Sequence, residues 1–270
     1  MLIKKKTIYI ETPNGKIKAL VFDSRENDKK VPGLLWFHGG GYIFGFPGMI
    51  RLTAAYDLLK RYEMVIIAPA YTLATKSPYP AALNDCYAAL KYLNDNAEEL
   101  GVDNNKIMIG GESAGGGLCI ATTIYAQSQS DITVRYMFPL YPMIDCYDTE
   151  TSKNNHGHLW NTRRNHIAWQ KYLGELSNSD KIPPYASPSR LHHYSTLPPF
   201  YTFVCDGEPF YAEAYEFVNK AQRAGVDARI KEYHSKTHAF DMALPFLKVS
   251  KQARKDFLEN YEKIVKNILK

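Results

Sequence analysis

The sequence predicts a single α/β domain built on a mostly parallel, eight-stranded sheet with helices on both faces, and three features carry that expectation. Short apolar runs recur along the chain at the length of strands buried on both faces. Segments with apolar residues three and four apart separate them, which is the period of a helix. An alternating pair of segments about Pro13-Asn14-Gly15 opens the chain as a hairpin would. Alternating strands and helices build a parallel sheet covered on both sides. A chain of 270 residues, 45% of them hydrophobic, is long enough to bury one large core, so residues 1–270 are expected to form one domain.

Taken in order, residues 7–12 and 16–22 are the hairpin strands. The apolar runs 34–37, 64–68, 107–109, 136–140 and 201–205 are the buried strands, and 228–233 is the last strand. Ala224-Gly225 stands before it, where glycine suits the end of a helix. The spacing predicts helices over 52–61, 81–99, 114–126, 212–223 and 249–269. One stretch breaks the rhythm: between the strand ending near Leu140 and the strand starting near Phe200 the chain is rich in His, Asn, Tyr and Trp, with one helix expected at 166–173. Long insertions in compact domains tend to be lids or binding loops. Residues from about 142 to 196 are therefore expected to form a small cap.

The net charge of +5 comes from lysines at the two ends of the chain, not from a basic stripe with a reading motif, so nucleic acid is not an expected partner. No apolar run approaches the roughly 20 residues that cross a bilayer. Ile8 and Ile10 alternate with polar residues instead of building the apolar stretch of a signal peptide. Cys86, Cys119, Cys146 and Cys205 lie in or beside apolar runs without close-spaced pairing, as reduced thiols do. A cytoplasmic protein is expected.

Gly111-Glu112-Ser113-Ala114-Gly115 follows a short strand and opens a helix, the context in which a strained serine is presented as a nucleophile. Flanking glycines let helix and strand approach closely at that turn. His38-Gly39-Gly40-Gly41 follows an earlier strand. Acyl transfer needs donors where negative charge develops on a carbonyl oxygen. The amides of Gly39 and Gly40 with that of Ala114 are expected to supply them.

A serine hydroxyl needs a base, and the base needs a carboxylate. His238 lies in the loop after the last expected strand, whereas His234 sits at the strand's end, so His238 is the expected base. The acid should follow the strand ending at Cys205, where Asp206 and Glu208 both stand in Cys205-Asp206-Gly207-Glu208-Pro209. Sequence chemistry alone does not separate them.

These motifs resemble the hormone-sensitive-lipase-like branch of the α/β-hydrolase carboxylesterases, bacterial acetyl esterases and lipases among them. The resemblance runs from about residue 34 to 240 and includes Pro80-Ala81-Ala82-Leu83-Asn84-Asp85, Leu100-Gly101-Val102-Asp103, Ala186-Ser187-Pro188, Leu197-Pro198-Pro199, Ala224-Gly225-Val226 and His238-Ala239-Phe240. It implies the α/β-hydrolase fold and a triad of Ser113, His238 and Glu208, because the family's acid precedes a proline at a fixed distance before Ala-Gly-Val. It also implies a homodimer through the last strand and helix. The chain departs from the family in Glu112, where Asp is common, and in Tyr71-Thr72-Leu73-Ala74-Thr75-Lys76, which lacks the usual Arg and Pro-Glu. It also starts directly with the hairpin, which implies a reduced cap and an open site.

The expected reaction is hydrolysis of short-chain, acetyl-type esters through an acyl-enzyme, without cofactor. Cleavage of an amide, formamide or peptide bond on the same triad is the second reading, and a ligand-binding protein without catalysis the third. Phe44, Trp160 and Phe210 are candidates to line the substrate pocket, since such pockets are largely apolar. His156-Gly157-His158 and His192-His193 lack an acidic partner or a second ligand motif, so no metal is expected.

Overall fold

The structure, a computed structural model, describes residues 2–130 and 132–267. The eight strands are β1 (Lys4–Thr12), β2 (Gly15–Asp23), β3 (Val31–Phe37), β4 (Val65–Pro69), β5 (Val102–Glu112), β6 (Tyr136–Leu140), β7 (Phe200–Cys205) and β8 (Ala228–Tyr233). They form one sheet in the order β1-β2-β4-β3-β5-β6-β7-β8. β1 and β2 pair antiparallel with Thr12 opposite Gly15, and β2 pairs antiparallel with β4. Every pair from β4 through β8 is parallel. The expected hairpin and apolar runs are therefore all strands.

The sheet is buried on both faces because alternate residues of each strand point to opposite sides. Leu35 and Phe37 of β3 join one apolar cluster while Leu34 and Trp36 join the other. Ile67 and Ile66 of β4 divide the same way. Helices α2 (Ala81–Asp95) and α4 (Ala114–Gln129) cover the first face; α1 (Ala54–Arg61) and α8 (Lys248–Asn267) cover the second. Each fully buried leucine or phenylalanine in these layers contributes about 1.5–3 kcal/mol relative to exposure. α4 is buried on nearly every side, so it carries apolar residues all round instead of a stripe.

The pattern over 81–99 breaks at Asn96, which ends α2, and a short α3 (Ala97–Leu100) continues to Gly101 in a left-handed conformation. The expected end of the last helix at Leu269 lies outside the described residues. Between β6 and β7 the chain forms α5 (Thr162–Leu173), preceded by Asn161, whose side chain accepts the Arg164 amide as an N-cap. Trp169 and Tyr172 of α5 pack on Tyr42, so this segment is anchored to the loop after β3. α6 (Tyr211–Arg223) follows β7, and α7 (Phe240–Ala243) precedes α8. The ends of β3, β5, β7 and β8 carry the loops that meet at the site, as in other open parallel sheets.

Candidate active site

Ser113 stands between β5 and α4 with φ 57° and ψ −119°, a conformation that L-residues rarely adopt. Such strain costs on the order of 1–3 kcal/mol and persists only where the surroundings over-determine it. Here three backbone bonds do so: the Ser113 amide donates to Leu140 O at 2.9 Å, and its carbonyl accepts from Gly117 and Met143 at 3.0 Å each. The turn also needs its glycines. A β-carbon on Gly115 would lie 2.1 Å from Phe37 O, and one on Gly111 would lie 2.5 Å from Gly115 O. Strand and helix can close on each other only without those side chains.

The Ser113 Oγ lies 2.9 Å from His238 Nε2, and His238 Nδ1 lies 2.5 Å from Glu208 Oε2. All three residues are buried, with Ser113 and His238 only 5% and 6% exposed. The other carboxylate oxygen of Glu208 accepts the Cys205 amide at 2.7 Å, so β7 itself fixes the acid. A carboxylate on Nδ1 accepts that nitrogen's proton and leaves Nε2 free to accept from the serine hydroxyl. The imidazole is held edge-on by Tyr141 at 5.2 Å and by Phe210 at 4.9 Å between ring centroids.

Asp206 and His234, the alternative acid and base, are paired with each other. Their side chains meet at 2.5 Å on the surface, and Asp206 Oδ1 also accepts the Ser235 amide. Burial pushes the Asp206 carboxyl up, but the bonds from His234 and Ser235 together with the His234 charge outweigh it and hold the group below its usual range. The structure thus brings Ser113, His238 and Glu208 together and leaves Asp206 and His234 outside.

The glycine turn differs from expectation at one residue. Gly39, expected to direct its amide at a substrate oxygen, donates instead to Glu112 Oε1 at 3.1 Å. Glu112 Oε2 accepts Trp36 Nε1 at 2.6 Å, so this fully buried carboxylate spans β3 and the turn after it. Burial raises its pKa to about 8, against the bonds from Gly39 and Trp36 that favour the charged form. Among the described residues, the amides of Gly40, Gly41 and Ala114 have no protein acceptor. The turn is braced from behind by His38, whose ring stacks on Tyr71 at 4.2 Å and whose carbonyl accepts the Tyr71 hydroxyl. Burial lowers the His38 pKa to about 4, so its ring is neutral at pH 7.

The three pocket candidates fall in different places. Phe44 is 62% exposed, while its amide donates to Gly40 O. Trp160 lays its ring against Gly41. Phe210 has no exposed surface, so it supports the imidazole and does not line an open pocket, which corrects the expectation. Tyr141 and Asp241 carry no motif in the sequence, and Tyr71 stands there only in the stretch that departs from the family. Asp241 is buried, with neither carboxylate oxygen hydrogen-bonded among the described residues, and burial raises its pKa to about 6. Its position three residues after His238 was the only available signal.

A family model described as alpha/beta hydrolase fold matches residues 34–242. An esterase of Mycobacterium tuberculosis, LipI, is 23% identical over 239 residues, covering 86% of this chain and 73% of its own. An ethyl acetate hydrolase of Pseudomonas putida is 25% identical over 220 residues, covering 80% and 68%. Among solved structures, a bacterial heroin esterase superposes with a TM-score of 0.89 at 27% identity, covering 94% of this chain and 82% of its own.

Proposed function

This chain belongs to the α/β-hydrolase-fold family, and we propose that it is a serine carboxylesterase of the hormone-sensitive-lipase-like branch that hydrolyses short-chain, acetyl-type esters. The observation that carries this reading is the 2.9 Å contact between the strained Ser113 and His238 Nε2. The similarity to an esterase, an ethyl acetate hydrolase and a heroin esterase supports the reaction class.

In the proposed mechanism Ser113 Oγ attacks the ester carbonyl carbon while His238 Nε2 takes the hydroxyl proton. Glu208 holds the imidazole in the right tautomer and stabilises its charged form. The carbonyl oxygen becomes an anion, and the free amides of Gly40, Gly41 and Ala114 receive it, with Gly41 replacing the engaged Gly39. The alcohol leaves with the proton from His238 as its bond to carbon breaks. Water then repeats the sequence on the acyl-enzyme: it attacks the acyl carbon as His238 takes its proton, the serine ester bond breaks as His238 returns a proton to Ser113 Oγ, and the carboxylic acid departs.

Residues 142–196 act in this reading as a small cap, supported by the packing of α5 against Tyr42. A cytoplasmic location is supported by four cysteines that are all free thiols. A homodimer is supported by β8, which forms an edge of the sheet and offers an unpaired strand to a second copy.

Labelling with a p-nitrophenyl alkylphosphonate tests the reading. A single phosphonyl adduct on the Ser113 peptide, absent from Ser113→Ala, is expected. A protein that stays unlabelled under conditions that inactivate a known serine esterase refutes it.

A further inference from the structure

Trp160 precedes the N-cap of α5, yet its ring reaches across to the glycine turn beside Ser113. A β-carbon placed on Gly41 would lie 2.1 Å from Trp160 Cη2 and 2.7 Å from Cζ2. The far end of the indole therefore rests directly on the Gly41 backbone, and Gly41, at φ 60°, is the residue whose shape permits it.

The ring and the loop that carries it are each held by hydrogen bonds. Its Nε1 donates to Oδ1 of the buried Asn165 at 3.3 Å. Arg164 donates to the carbonyls of His158 and Leu159, the two residues before Trp160. Thr162 Oγ1 bonds to Ser152 O at 2.6 Å and receives the Asn155 amide at 2.7 Å. Asn155 in turn donates to Gly207 O, next to the acid of the triad. A side chain fixed this way is a wall and not a swinging lid.

The position of the wall follows from the geometry of the reacting carbon, given the proposed esterase mechanism. One of its bonds goes to Ser113 Oγ, one to the oxygen facing the amides of Gly40, Gly41 and Ala114, and one to the leaving oxygen on the His238 side. The fourth bond carries the acyl substituent, and Trp160 rests on Gly41, one of the residues whose amides face the oxygen.

We propose that Trp160 is the specificity-determining residue for acyl length: its indole ends the acyl site after a few carbons and restricts the enzyme to acetyl-like and other very short acyl groups. The inference rests on the esterase reading and deepens it to one side of the substrate. Large residues that close an apolar pocket discriminate by roughly 10–200-fold for each methylene they exclude or admit.

The test is kcat/KM for p-nitrophenyl acetate, butyrate and octanoate with wild type, Trp160→Ala and Trp160→Phe, alongside thermal melts of each. The expected result is that the octanoate-to-acetate ratio rises about tenfold or more in Trp160→Ala and by less in Trp160→Phe. Equal losses on all three esters give Trp160 a structural role only and overturn the inference. A set of acetate esters of alcohols of increasing size provides the other arm, because a change that follows the alcohol while the acyl ratio stays fixed also overturns it. If Trp160→Ala does not fold, the ratio in Trp160→Phe decides. Inactivity of wild type on every ester refutes the esterase reading itself and takes the inference with it.

Discussion

Glu112 Oε1 accepts the amide of Gly39 at 3.1 Å, so the residue immediately before the nucleophile holds the glycine turn in place. The same carboxylate accepts Trp36 Nε1 through its other oxygen. One buried side chain thus couples β3, β5 and the loop that carries the free amides. The coupling has a pH signature. Burial raises the Glu112 pKa to about 8 from an ordinary 4.5, so between these values the folded state binds more protons than the unfolded state. Its contribution to stability is then fully present below about pH 4.5 and is lost as pH rises toward 8. Asp241, raised to about 6, acts with the same sign but has finished by then, and His38, lowered to about 4, acts with the opposite sign below 6.5. Glu213 is also raised by burial and adds a decline of the same sign. We therefore predict that between pH 6.5 and 8 wild type loses more stability than Glu112→Gln, measured by urea denaturation. Parallel slopes for the two proteins would show that Glu112 is charged throughout.

Two carboxylates follow β7, and only one reaches the imidazole. Glu208→Ala is predicted to lower kcat by about 10⁴-fold, the scale expected when a triad histidine loses the carboxylate that fixes its tautomer. Asp206→Ala breaks a surface pair with His234 and a bond from the Ser235 amide, both outside the triad, and is predicted to change kcat less than threefold. Steady-state kinetics on one short ester read both, and the reverse ranking would move the acid to Asp206.

Gly115 touches the end of β3 where a methyl group would fall 2.1 Å from Phe37 O. Gly115→Ala must push helix and strand apart, and we predict a loss of about 3 kcal/mol, at the upper end of overpacking costs. Activity should fall with it, because Ser113 is held by the same turn. Denaturant midpoints check the first point and turnover at a permissive temperature the second. A variant as stable as wild type would mean that the turn opens readily.

The strands were legible because each is a run of residues whose two faces are both buried, as at Leu34 and Leu35, and such runs leave a plain mark in sequence. Ser113 and His238 were legible for a related reason: a strained turn and a loop after the last strand both have local composition. Glu208 was separable from Asp206 only through resemblance to a family, since two carboxylates two residues apart point in directions that the fold decides. The engagement of Gly39 by Glu112 left no local sign, because a glycine amide takes whichever acceptor the folded chain places beside it. Phe210 reads in sequence as a pocket aromatic, and its complete burial beside the His238 ring emerges only in the fold. The altered stretch after Tyr71 raised the question of what replaces the family's supports. The structure answers with Asp85, which accepts Thr72 N at 2.7 Å and Asn14 Nδ2 at 2.9 Å and so ties that loop to the opening hairpin.

The central claim is that Ser113, activated by His238, cleaves esters, and it is tested most directly by initial rates on p-nitrophenyl acetate for wild type and Ser113→Ala at equal concentration, with both proteins shown to be folded. Turnover by wild type and a loss of at least about 10⁴-fold in the variant is the predicted result. Equal rates in the two proteins, or no hydrolysis by wild type, would contradict it.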